Sequence, residues 1–407
     1  MGIQTSLDAV RDAEHIVDAL RLADDLAFEA NRDQGARTIR ILSAALRDDD
    51  QLVAIAATHA LAQVFDEQAD RALSQLLSSE RPFLREHAAW AIGSRIPRLD
   101  AIGRLIAMVV GGGFGGMLAQ RTLEQWAFPT PEHIAIGLEG ALLGVRGSEE
   151  RYRLVETLGL VRGRIATQPL LGIAADEGEH EQVRVAAVSA LGQRRDEAAT
   201  AEIRAFLDGL TAGGGYLADV ARLALVDLAG GTAVREEPHD DLTVAQLFLH
   251  ADIDADLRHA GSGDNGGIAT LLVRLGDALV DEGSERRVER VITMSRGSVQ
   301  GAVESVASIR ATTEGHVYGR IPLLSEPVNS ASAWPLRVAA RRGIRRMLRA
   351  AGGVDLLHLR MADVGSLAAA DVARELDVPV VFTVAPDPHA VIRSMDLAGQ
   401  LTRSNFG

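Results

Sequence analysis

The chain has no cysteine and no lysine: its 42 basic residues are all arginine. Without cysteine there are no disulfides, no thiolate zinc sites and no thiol nucleophile. Without lysine there is no P-loop, whose lysine reaches the phosphates. Schiff-base chemistry, and with it pyridoxal phosphate, is excluded for the same reason. Aromatics make up only 4% of the chain, so alanine, leucine and valine must fill its core, which suits helices packed through small side chains. Positive charge is in deficit: the net charge of −14 argues against a nucleic-acid partner, which needs a basic face. No apolar run reaches the ~20 residues of a membrane-spanning helix. The start "MGIQTSLDAVRDAEHIVDAL" is acidic and amphipathic, with no apolar signal core, so a cytoplasmic location is expected.

At 407 residues the chain has room for two or more domains, each with its own core. The first half repeats. "LVAIAATHALAQV" (52–64), "FLREHAAWAIGSR" (83–95), "GGMLAQRTLEQWA" (115–127), "EERYRLVETLGLV" (149–161), "QVRVAAVSALGQR" (182–194) and "YLADVARLALVDL" (216–228) align. A small-then-large pair recurs at Ala60-Leu61, Ala91-Ile92, Thr122-Leu123, Thr157-Leu158, Ala190-Leu191 and Ala224-Leu225, in steps of 31, 31, 35, 33 and 34 residues. A second apolar helix, such as "ARTIRILSAALR" or "TAEIRAFLDGL", fits between neighbouring segments. One helix pair per step is the signature of an α-solenoid. "VRVAAVSALG" (183–192) resembles the short HEAT-like repeats of the phycobilin-lyase type, a likeness that speaks for architecture and says little of function; a protein partner on the solenoid is expected. "GGGFGG" (111–116) reads as a turn between helices, since no strand precedes it as a phosphate loop would require. His59, His87, Trp90 and Trp126 fall on helices and read as core or groove filling.

Composition changes at "GGTAVREEPHDD" (230–241). We therefore expect a solenoid over 1–232, a linker over 233–241 and an α/β domain over 242–407. Strand candidates at 243–250, 287–294, 316–323, 354–360 and 378–384 alternate with helix candidates at 267–283, 334–352 and 366–376, the last with Ser366 as its N-cap. Such alternation predicts a mostly parallel, Rossmann-like sheet with helices on both faces. Ligands then bind beyond the carboxyl ends of the strands, which gathers loops 251–267, 359–366 and 384–389. "GSGDNGG" (261–267) lies there and opens a helix, leaving backbone N–H groups for an anion or sugar hydroxyls. It is not a dinucleotide fingerprint, because no acidic residue closes the second strand.

"GDNGGIATLLVRLGDAL" followed by "VDLLHLRMADVGSLAAADVARELDVPVVFTV" resembles the N-terminal, acceptor-side half of retaining GT-B glycosyltransferases of the sucrose-synthase and sucrose-phosphate-synthase type. The resemblance implies a nucleotide-sugar donor as substrate, a sugar acceptor, no metal and no other cofactor. It implies substrate-binding roles for Gly266, Gly267, Asp264, Arg360 and Asp363, and catalytic roles for His358 and His389. The family's histidine after the fifth strand has no counterpart in Thr383-Val384-Ala385, so either His389 takes its place through a longer loop or the role is lost. The donor-binding half has no counterpart either, which implies an incomplete enzyme.

Each residue also has a structural reading. Asp264 and Asp363 suit helix caps as well as ligands, and His358 suits a hydrogen-bonded core position. Asp252, Asp254 and Asp256 form a D-x-D run that reads as a solvated loop rather than a metal site. Arg337, Arg341, Arg342, Arg345, Arg346 and Arg349 line one helix as a solvated face. Alternatively Arg337, Arg341 and Arg345 make a peripheral contact with an anionic membrane. The leading expectation is thus a glycosyltransferase half carrying a HEAT-repeat interaction module. The alternative is a non-catalytic HEAT-repeat protein-binding scaffold with a structural α/β domain.

Overall fold

The computed structural model describes residues 2–195, 197–230, 241–258, 266–281, 288–323, 329–384 and 386–406. The expected linker, residues 233–240 of it, lies outside them, as does Asp264.

Among the described residues fourteen helices precede the first strand, twelve of them in consecutive pairs. They are α1 (Ile3–Asp12) with α2 (Ile16–Arg32), α3 (Ala36–Ala45) with α4 (Gln51–Leu61), α5 (Glu67–Leu76) with α6 (Pro82–Ile92), and α7 (Leu99–Gly111) with α8 (Gly113–Trp126). Then come α9 (Pro131–Gly144) and α10 (Ser148–Leu158), followed by α11 (Arg164–Ala175) with α12 (Glu181–Leu191) and α13 (Thr200–Thr211) with α14 (Gly215–Ala229). The start signals are local. Asp50 caps α4 by accepting the Leu52 and Val53 N–H groups, and Pro82 and Pro131 occupy first-turn positions where a missing N–H costs nothing. The second helix α4 is buried nearly all round: every residue from Leu52 to Thr58 is buried. Glycine permits the stacking. A Cβ on Gly192 would stand 2.7 Å from the Ala224 Cα, and one on Gly159 would stand 2.6 Å from the Ala190 Cβ. Only Gly112 of the "GGGFGG" run lies between helices: Gly111 ends α7 and Gly113 opens α8, and Gly112 and Gly113 turn the chain at φ 70° and 66°.

Contact density divides the chain elsewhere than at the composition change near 232. One compact unit comprises residues 1–146 and 385–407, the other residues 147–384. The first holds α1 to α9 and a last helix, α19 (Pro388–Leu397), which packs on α2.

The second unit joins α10 to α14 to a five-stranded parallel sheet. Its strands are β1 (Leu242–Phe248), β2 (Val288–Gly297), β3 (Gly315–Pro322), β4 (Leu356–Leu359) and β5 (Val380–Phe382), in the order β3-β2-β1-β4-β5. Its helices are α15 (Gly266–Asp281), α16 (Val299–Ala311), α17 (Arg337–Ala350) and α18 (Val364–Leu376). α15 lies on one face, where Gly276 meets the His316 ring. α16, α17 and α18 lie on the other, where Gly319 meets Ile309 and Met347, and Gly365 meets Leu247. With both faces covered, central β1 reads as a continuous buried run, as parallel sheets require.

Two local expectations change. α16 was not foreseen, because "VQGAVESVASIRA" carries few large apolar residues; Ser298 caps it by accepting the Gly301 N–H. The cap of α18 is Asp363, which accepts the N–H of Ser366, the residue expected to be the cap.

The arginines of α17 are neither a solvated face nor a membrane surface. Arg346 pairs with Asp227 of α14 at 2.7 and 2.6 Å, with only 4% and 5% of the two side chains exposed. Arg345 holds Glu375 and the Gln193 side chain, Arg337 holds Asp371, and Arg349 also reaches Glu375. Arg342 and Arg341 face Glu156 and Glu375 at 3.9 Å. The contacts to Asp227, Gln193 and Glu156 join the repeat helices of the second unit to its sheet layer, and those to Asp371 and Glu375 join α17 to α18.

Candidate functional site

The carboxyl ends of the strands are the first place to look for a ligand. β4 delivers His358, whose Nε2 lies 2.8 Å from Thr383 Oγ1, and burial together with Arg360 lowers its pKa. Asp363 is 6% exposed and both its oxygens are committed, Oδ1 to the Ser366 N–H at 2.8 Å and Oδ2 to His250 Nε2 at 2.9 Å. The Arg360 Nε is buried without a hydrogen-bond partner. Between Leu249, His250, Arg296 and Val364 the enclosed space is about 10 Å³, at the margin of one water. Gly266 and Gly267 open α15 as expected, and Gly267 is exposed, with nothing within 4 Å of where a Cβ would stand. His389 belongs to the first unit; it is exposed, and its N–H bonds the Asp387 carboxylate that caps α19. Sequence order thus brings His250, His358, Arg360 and Asp363 to one end of the sheet, where His250, His358 and Asp363 serve as hydrogen-bonded structure. The aspartates of the D-x-D run are also engaged: Asp252 holds Arg320, Asp254 accepts the Arg258 N–H and Asp256 pairs with Arg258. Among the described residues no group of three or more acidic or histidine side chains is placed to hold a metal.

A second constellation lies under α15. Thr293 Oγ1 is 2.7 Å from His316 Nε2, and His316 Nδ1 is 2.8 Å from Asp277 Oδ1. That is the connectivity of a nucleophile, base and acid. Thr293 is fully buried and also accepts from the Gln246 amide, so no substrate carbonyl can reach it. The network pins α15 to β1, β2 and β3.

The first unit presents a different kind of site. His59 of α4, His87 and Trp90 of α6, and Arg121 and Gln125 of α8 lie along successive second helices. The His59 Nε2 lies 2.8 Å from His87 Nδ1, and the His59 ring meets the edges of His87 and Trp90 at 5.0 and 5.7 Å between centroids. Trp90 is 52% exposed, whereas Trp126 is core and donates its indole N–H to the Arg95 carbonyl. Beside this groove the turns that follow α4, α6 and α8 carry Phe65, Ile96 and Phe128, exposed by 73%, 81% and 94%. They stand 31 and 32 residues apart, one per repeat. The Arg95 guanidinium lies over the Phe65 ring at 4.7 Å. Sequence reasoning passed over these three, because the aligned segments end at residues 64, 95 and 127, one position before each of them.

No protein-family model matches the chain, and no curated protein does. Among solved structures, human deoxyhypusine hydroxylase in complex with glycerol is similar at 20% identity, over 56% of this chain and 84% of that one, with a TM-score of 0.25. The complex of CpcE and CpcF of phycocyanin lyase from Nostoc sp. PCC7120 is similar at 13% identity, over 56% and 94%, with a TM-score of 0.27. Both are HEAT-like helical repeat proteins, and both likenesses are too distant to carry a reaction or a substrate. They correct the expected kinship: the matches reported are a hydroxylase and a lyase, not glycosyltransferases. The glycosyltransferase reading, with its nucleotide-sugar donor and sugar acceptor, is set aside.

Proposed function

We propose that the chain is a non-catalytic protein-binding scaffold in which HEAT-like repeats carry the partner surface and the α/β layer is structural. One observation carries this reading: Phe65, Ile96 and Phe128 repeat one exposed apolar position in consecutive repeats. Isolated exposed apolar residues are ordinary, but a row at a fixed repeat position is the form of an interaction surface. Neighbouring helices pack about 8–10 Å apart, so the row offers evenly spaced contacts along an elongated partner. Trp90 in the adjacent groove supplies an aromatic anchor of the kind that dominates binding energy. The polar networks at the strand ends and under α15 hold elements together in this reading.

The test is site-specific photo-crosslinking. A photoreactive residue at Ile96 of the full chain is expected to capture a partner of defined mass, and one at exposed Arg71 is not. The Phe65→Ser/Phe128→Ser variant should lose the capture while unfolding at the same temperature. Equal capture at both positions, or capture indifferent to the substitutions, overturns the proposal.

A further inference from the structure

The segment Thr402–Phe406 is neither helix nor strand, yet it is held on the first repeats by two anchors four residues of chain can span. The first is Arg403. Its Nε donates to Asp50 Oδ2 at 2.6 Å, and its terminal nitrogens donate to the Ala13 and Val10 carbonyls at 3.0 and 2.8 Å. Val10 and Ala13 end α1, where backbone carbonyls have no partner within the helix and the dipole is negative. Asp50 is the N-cap of α4, and it caps with its other oxygen, Oδ1. The free carbonyls at the end of α1 and the Asp50 carboxylate thus make an electronegative cup that fits a guanidinium fork and would fit an ammonium poorly. The second anchor is Phe406, which packs against Ala54, Ile55, Phe83 and Leu84, with Leu76 alongside. Between the anchors the Gln51 amide donates to the Ser404 carbonyl.

The segment carries its own shape. The Thr402 N–H bonds the Asn405 side-chain oxygen at 2.6 Å, and the Asn405 N–H bonds the Thr402 carbonyl at 3.2 Å. This turn sets the arginine and the aromatic on one side. The groove is also longer than what fills it. An open pocket of about 640 Å³ continues from Gln51, Leu76 and Leu84, the same residues that touch Ser404 and Phe406, toward Arg47 and Arg81.

We propose that this groove is a recognition site for a short peptide turn bearing arginine followed three residues later by an aromatic, and that Thr402–Phe406 occupies it in cis. A partner carrying the same pair of anchors competes with the tethered copy, whose local concentration is high because the chain holds it there. The site uses neither the Phe65–Ile96–Phe128 row nor the His59–Trp90 groove, so it stands or falls apart from the scaffold surface described above.

The probe is a fluorescein-labelled peptide of residues 400–406, titrated by polarisation into the full chain. Arg403→Ala/Phe406→Ala vacates the groove and is expected to bind the peptide at least tenfold more tightly than the unaltered chain. Adding Asp50→Ser, which keeps a capping hydroxyl but removes the carboxylate, should reverse that gain at least tenfold, with the melting temperature retained. Peptides with the arginine or the phenylalanine replaced by alanine should not bind. As a route that leaves every groove residue unaltered, a protease site inserted at exposed Gly399 frees the segment, and the cut chain should then take up the labelled peptide. No peptide uptake by the vacated or the cut chain, or binding indifferent to Asp50→Ser, overturns the proposal.

Discussion

His59 and His87 share one hydrogen bond, Nε2 to Nδ1 at 2.8 Å, across the α4–α6 contact. One ring must donate and the other accept, so the bond exists only while at least one imidazole is neutral. Burial pushes both groups down, and the neighbouring His59 adds to the effect on His87, which falls to about 4. Because the folded values lie below the unfolded one of about 6.5, the unfolded chain binds more protons between those limits. Stability from this pair is therefore full above about pH 6.5 and falls as pH drops toward about 4. The variant His59→Leu/His87→Leu should show a flatter melting-temperature profile across that window. Identical profiles would refute the account.

The Arg346–Asp227 pair is buried on both sides and bidentate. Removing one partner leaves the other charge without compensation, at a cost of roughly 3–5 kcal/mol. Arg346→Met and Asp227→Leu should each lower stability by that order in urea titrations. The double variant should recover much of the loss, since no charge is then stranded. Additive losses would mean the two groups act independently.

The expected membrane stripe now yields the opposite prediction. Arg337 and Arg345 are committed to Asp371 and Glu375. Burial pushes the Glu375 carboxyl up, but the hydrogen bond and charge of Arg345, with Arg341 and Arg349, outweigh it and hold the carboxyl below its ordinary range. Arg337→Gln/Arg341→Gln/Arg345→Gln should therefore lower the melting temperature. Neither the variant nor the unaltered chain should sediment with phosphatidylserine vesicles. Sedimentation that the substitutions abolish would restore the membrane reading.

Gly192 tests the account of repeat stacking. A methyl group there would press on Ala224 backbone atoms at 2.7 and 2.8 Å, and backbone yields little. Gly192→Ala should cost about 1–3 kcal/mol from overpacking, despite alanine's better helix propensity. Gly172, on α11 with open space around it, is the control. Gly172→Ala should be neutral or stabilising by about 0.5–1 kcal/mol. Chemical denaturation of both variants decides.

The repeats and most of the sheet were legible because their signals are local. The Ala-Leu pairs mark second helices, and runs such as "VDLLHLR" mark strands before any contact is known. α16 escaped because small residues suffice where the neighbouring surface is close, and closeness is a tertiary fact. The site was less legible. Asp363 and His358 have residue types suited to ligands, and their partners, His250 and Thr383, are 113 and 25 positions away. Chemistry-bearing side chains at a strand end look the same in sequence whether a ligand or a neighbour satisfies them.

What the sequence determined alone was the kind of chain: helical repeats in steps of 31–35 residues, alternating strands and helices after them, and no lysine or cysteine chemistry. What only the tertiary structure decided was which groups are free. Folding turned the arginine helix inward to Asp227, Asp371 and Glu375, sealed Thr293 and His316 beneath α15, left Phe65, Ile96 and Phe128 in solvent, and laid Arg403 on the ends of α1 and α4. The reason is physical. Periodicity reports which face of an element is apolar, whereas exposure and pairing depend on what another part of the chain places against that face.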